Sequence, residues 1–207
     1  MTSFPATFPT VGIQSSRFGL KTASSVSQSP FSFAQQVYNF TGQMWHGSVT
    51  FPPCTNAQAA RIKGFLASLL GQYGTFLYGD PDFLAKGVLG TNGGTPLVKG
   101  DSQTGKSLTT DGWTALQTVL KAGDYFQLGT GANARLYMLT TDAASDTGGN
   151  ATLVFEPSLR SSPADNAVIT TTGAKGLFRL ASNNVEWDSN HASIYGFTID
   201  FMEAVGE

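Results

Sequence analysis

A chain of 207 residues with 41% hydrophobic side chains can bury the core of one large or two small domains. Only 13% of the residues are charged, and Gly, Ser and Thr fill the gap, which is the composition of an all-β protein with many turns. A net charge of −2 gives no electrostatic reason to bind nucleic acid or an anionic membrane, and the single Cys54 excludes an internal disulfide and a Cys-only zinc site.

The N-terminus, MTSFPATFPTVG, has no basic region followed by an apolar one, so no targeting segment is expected. No apolar run approaches the roughly 18 residues of a membrane span, so no membrane insertion is expected. Residues 1–30, rich in Ser, Thr and Pro, read as an extended arm with sheet-like pieces such as Val11-Gly12-Ile13. FSFAQQVYNF and QMWHGSVTF then predict paired strands about a turn at Thr41-Gly42. In the second run Met44, His46, Ser48 and Thr50 alternate with Trp45, Gly47, Val49 and Phe51, which gives one mostly apolar face.

Pro52-Pro53 ends this strand and leaves Cys54 half-buried, as a small hydrophobe. Thr55 or Asn56 can cap a helix over about 56–70. Ile62, Phe65, Leu66 and Leu69 form its apolar stripe, and Gly71 stops it. QYGTFLYGDPDF follows as a strand ending in a Gly79-Asp80-Pro81 turn, then a loop runs to Gly94.

Five short strands come next: Leu97-Val98, Ser107-Leu108, Asp124 to Leu128, Ala134 to Thr141 and Ala151 to Phe155. They predict a small, OB-like barrel, with one helical turn between Trp113 and Asp124. After Pro157 to Pro163 come a strand around Val168-Ile169-Thr170, the run AKGLFRLASNNVEW and the alternating SIYGFTIDFMEAV. The expected fold is therefore mainly β: a β-sandwich body (1–90 plus 164–207) with one amphipathic helix, and an inserted small β-barrel-like domain (91–163). An exposed loop tolerates such an insertion.

One motif demands a test. GDSQTGKS, Gly100 to Ser107, matches the P-loop pattern, in which backbone N–H groups cradle phosphates ahead of a helix. The residues after Lys106, SLTTDGWT, carry β-branched Thr109 and Thr110 and the turn signal Asp111-Gly112 where that helix must begin. A polar loop between strands is the better account.

Other chemistry is equally sparse. His46 and His191 have no second ligand at metal spacing. Asp142, Asp146 and Asn150 look faintly like a calcium loop but lack its spacing, and Asp-Thr-Gly-Gly-Asn is turn chemistry. No G-x-S-x-G nucleophile elbow is present, and Asp200 belongs to the polar side of a strand. Trp45, Trp113 and Trp187 read as core or interface anchors, with a sugar-binding platform as the alternative. No catalytic, cofactor-binding or metal-binding residue is assigned, and no enzyme is expected.

The order of pieces resembles the distal tail proteins, or related tail-tip components, of long-tailed phages and prophages of Gram-negative bacteria. The resemblance covers about residues 37–207. It is carried by YNFTGQMWHGSVTFPP, the helix, GQYGTFLYGDP, GTPLVKGDSQTGKSLTTDGW, LKAGDYFQLG, RLYMLTTDAASDTGGNATLVFEPSLR and KGLFRLASNNVEW, in that order. It implies a structural virion protein of the baseplate or tail tip, present in host cytoplasm during assembly. Its partners would be itself, as a homohexameric ring, the tail tube protein, the tail hub protein and side-fibre proteins. TGKSL would be part of a loop in the inserted domain. The short length departs from larger members with C-terminal galectin-like domains, which counts against host-sugar binding. Another tail ring, of the tube or of tail completion, and a glycan-binding or cell-wall-acting module are the alternatives.

Overall fold

The structure, a computed structural model, describes residues 4–189 and 194–206. It is mainly β, with a body sheet and a nearly closed barrel-like sheet. The chain opens with β1 (Ser15–Gln28) and β2 (Gln35–Thr50), followed by α1 (Asn56–Ser68), β3 (Thr75–Tyr78) and α2 (Pro81–Lys86). The barrel strands are β4 (Gly94–Val98), β5 (Ser107–Trp113), β6 (Thr118–Leu120), β7 (Tyr125–Leu128), β8 (Arg135–Leu139), β9 (Ala143–Ala144), β10 (Ala151–Glu156) and β11 (Ile169–Thr170). The body is completed by β12 (Gly176–Leu180), β13 (Asp188–Ser189), β14 (Tyr195–Gly196) and β15 (Thr198–Glu203).

The body sheet has the order β1-β2-β15-β12-β3. Alternation along β2 and β15 does what the sequence pattern requires. Trp45, Val49, Ile199 and Phe201 are buried on one face, while His46 and Asp200 stand exposed on the other. Gly47 lies opposite Phe201, and a Cβ there would come within 2.7 Å of the Phe201 ring, so the ring can cross the strand only because position 47 has no side chain. The buried face is covered by α1, through Ala59, Ile62, Phe65 and Leu66. Gln58 accepts a hydrogen bond from Thr55 N at 3.0 Å and caps that helix.

Phe4, Ala6, Phe8 and Val11, ahead of β1, pack against the body core, where the sequence reading expected an extended arm. The Phe8 ring sits 4.8 Å from Tyr78 and 5.5 Å from Phe65, and Val11 is buried with them. Two further expectations fail in this half of the chain. The stretch after Gly79 holds a second, short helix, α2, because Asp80 caps it by accepting from Asp82 N at 3.0 Å and Pro81 presets its first turn. Cys54 is fully buried, with its thiol on Pro52 O at 3.0 Å.

The larger correction concerns the hairpin. Thr41-Gly42 is no turn; β2 runs straight through it, and the chain reverses instead at Ser29 to Ala34. Pro30 presets a turn, Ser29 N donates to Ala34 O at 2.9 Å, and Ser29 Oγ accepts from Phe31 N at 3.3 Å. Thr41-Gly42 falls where the register slips between Thr22 and Ser24, so it forms a bulge.

The second sheet has the order β11-β7-β8-β10-β5-β4. It closes through a bridge from Leu97 to Val168, with Val98 N on Ala167 O at 2.9 Å and Asn166 N on Val98 O at 2.8 Å. The Val168 to Thr170 strand, read from the sequence as part of the body, therefore belongs to the barrel, which extends past residue 163. Its register partner is β7, a long-range choice that no local signal encodes. Asp111-Gly112 is likewise no turn: β5 continues through it, and Gly112, at φ 76°, stands opposite the bulge that Thr95 and Pro96 make in β4. The expected helical turn before Asp124 is instead β6 paired with β9. Trp113, Phe126, Tyr137 and Phe155 fill the barrel. The buried Asp124 carboxylate accepts from Leu89 N at 2.7 Å, Gly90 N at 3.1 Å and Lys121 N at 2.8 Å, fixing the strand that leads into the barrel.

Candidate functional site

Residues 22–43, TASSVSQSPFSFAQQVYNFTGQ, contain no charged side chain. They form the distal part of the β1–β2 hairpin, and every residue from 21 to 42 except Ser29 is exposed. The paired ribbon runs about 20 Å from its root at Thr22 and Gln43 to its last rung at Gln28 and Gln35, and the turn beyond that rung carries the tip. Val26 and Val37 pair across one face, Tyr38 and Phe40 lie on the other, and Phe31 and Phe33 crown the tip. These six side chains are 51% to 95% exposed, with Phe31 the extreme. An isolated two-stranded ribbon is marginal in water, and an apolar one without charges invites pairing.

The root, in contrast, is held hard. Glu203, at the end of β15, is buried with Arg160 from the segment leaving β10; their side chains are 3% and 13% exposed. Arg160 reaches Glu203 Oε1 from Nε at 3.1 Å and Oε2 from a terminal nitrogen at 2.6 Å. The same terminal nitrogen donates to Gln43 O at 2.6 Å, and Trp45 N donates to Glu203 Oε2 at 3.0 Å. Trp45 Nε1 donates to Leu136 O of the barrel at 2.8 Å. One bidentate ion pair thus ties hairpin root, body sheet and barrel together. Tyr125 and Leu136 from the barrel also enter the body's core cluster. Sequence reading missed this joint: Arg160 and Glu203 lie 43 residues apart.

Lys106 ends a turn before β5, with no helix after it, and its ammonium pairs with Glu156 Oε1 at 2.6 Å. Asp146 accepts from Gly148 N and Asn150 N at 2.8 Å each, which makes the Asp142–Asn150 stretch a hydrogen-bonded turn. The Asn150 hydrogen bonds hold the Asp146 carboxyl below its usual value. Asp142 is committed elsewhere, to Ala122 N at 2.9 Å. Among the described residues no group of three His, Cys, Asp or Glu side chains could hold a metal. His46 is exposed on the open face of the body sheet, and His191 lies outside the described residues. Trp45 and Trp113 anchor the two cores, whereas Trp187 is 47% exposed and, with Tyr195, faces the Lys63 ammonium, 3.8 Å from the Tyr195 ring.

Among the described residues no helix is long and apolar enough to cross a membrane. Comparison with protein-family models and with curated proteins returned no match.

Proposed function

We propose that the chain is a structural virion protein of a phage tail: a distal tail ring adaptor that joins the tail tube to the tail hub and fibre apparatus. The observation that carries this reading is the charge-free hairpin on a rigid root. Exposed apolar surface of this size on a β-ribbon marks an assembly surface. A single arm that binds elsewhere on an identical copy makes a heterologous contact, and such contacts build a ring when the rotation between copies closes. The resemblance of the ordered sequence blocks to distal tail proteins supplies the particle, the hexameric state and the neighbours: tube, hub and side fibres. A ring elsewhere in the same tail uses the same arm. Lys106, which the phosphate motif singled out, is held in an ion pair, and Asp142 and Asp146 are held in turns.

The test replaces residues 23–42 by an Asn-Gly turn joining Thr22 to Gln43, which already face each other across the ribbon. The shortened chain should fold, sediment as a monomer and fail to support tail assembly by complementation. Rings and infectious tails at the level of the full chain would overturn the proposal.

A further inference from the structure

The hairpin root carries a second feature. A groove of about 270 Å³ lies between the root and the barrel, lined by Asn39, Phe40, Thr41, Gln43, Lys106 and Ser158. Its walls are neutral, since the Lys106 charge is matched by Glu156 at 2.6 Å. The Gln43 side-chain oxygen is buried there with no hydrogen-bond partner among the described residues.

We propose that this groove receives the hairpin tip, Phe31-Ser32-Phe33, of a second copy of the chain. The inference rests on the ring reading above and adds the place where the contact is made. Three points select the occupant. The tip of the same chain stands about 20 Å from its own groove along an extended ribbon, so it cannot fold back into it. Tip and groove match in charge, both being neutral. The two tip rings, 95% and 71% exposed, present about 330 Å² at roughly 200 Å² per ring, less than half of the roughly 800 Å² that a stable interface takes from each partner, so the contact suits an occupant that repeats it, as copies of one chain do. Tip into root is heterologous, so each copy gives one contact and receives one, as every subunit of a ring does. The GDSQTGKS loop, which includes Lys106, thereby becomes one wall of the socket.

The experiment uses the full chain with Ser32→Cys and Ser158→Cys, alone and combined, under mild oxidation. Cys54 is buried and stays in place. The combined variant should give a ladder of covalent multimers on non-reducing gels, collapsing on reduction, while each single variant gives none beyond a dimer. Sedimentation of Phe31→Ser/Phe33→Ser and of the groove-filling Ser158→Trp should show self-association weakened at least about tenfold. Rings without a ladder would overturn the socket and leave the ring reading standing. A chain that stays monomeric at every concentration, with no ladder, would overturn both. Binding of the full chain to phosphatidylethanolamine–phosphatidylglycerol vesicles that is lost in Phe31→Ser/Phe33→Ser, with self-association unchanged, would assign the tip to a membrane instead and overturn the proposal.

Discussion

Removing the Glu203 carboxylate should be among the most damaging single changes available in this protein. Glu203→Ala leaves the Arg160 guanidinium buried with Gln43 O as its one remaining strong acceptor, and leaves Trp45 N without one. Breaking a buried pair from one side costs about 3–5 kcal/mol, because an uncompensated charge stays in the interior. Of that, about 1–2 kcal/mol belongs to the orphaned Trp45 amide. The combined change Arg160→Met/Glu203→Leu removes both charges and keeps the volume, so it should cost only what the Trp45 amide and the Gln43 carbonyl lose with their partners, about 2–3 kcal/mol. The double variant is therefore expected to be more stable than the single one. Urea unfolding followed by tryptophan fluorescence measures both, and in a thermal scan the single change should lower Tm by on the order of 10 °C. A Glu203→Ala cost below about 1 kcal/mol, or a double variant less stable than the single, would show that the ion pair does not hold the joint in the way its geometry requires.

Three further outcomes are expected. Lys106→Ala should leave calorimetric titrations with magnesium-ATP and magnesium-GTP as flat as those of the full chain, because Lys106 is paired with Glu156 and no helix follows it; a micromolar affinity lost in the variant would contradict this. Replacing residues 91–172 by a Gly-Ser linker should give a body that binds hydrophobic dyes and unfolds without cooperativity, since Tyr125 and Leu136 leave its core; a cooperative, dye-silent body would refute the shared core. Burial pushes the Tyr78 phenol up to about 12, and burial also pushes Tyr125 and Tyr137 up. Their folded forms hold the proton more tightly, so this contribution to stability is fully present below the ordinary value of 10.0 and is lost as pH climbs towards 12. Phenolate absorbance should then show a late group of tyrosines ionising together with loss of near-ultraviolet dichroism; ionisation of all six near the ordinary value, with the fold intact, would contradict it.

Much of this protein was legible where the signal is local. The stripe Ile62, Phe65, Leu66 and Leu69 repeats at helical spacing, and α1 buries all four or packs them at its end. The alternation in TIDFME placed Asp200 outside and Phe201 inside before any neighbour was known. The β-branched residues after Lys106 ruled out the helix that a phosphate site needs, and β5 begins there. What the sequence could not express is pairing between distant segments. Thr41-Gly42 and Asp111-Gly112 carry turn residues, but ladder pairing on both sides keeps each within its strand, the first in a bulge and the second opposite one, and the β1–β2 reversal falls to Ser29 and Pro30. Val168 to Thr170 is equally at home in either sheet by propensity, and closure against Leu97 decides for the barrel. Arg160 and Glu203 each look like a solvated surface charge in the sequence; only the meeting of barrel, β2 and β15 removes water from both and turns them into one joint. Local propensity acts within a few bonds along the chain, whereas desolvation and sheet register depend on which surfaces meet, and that is settled only when the whole chain packs.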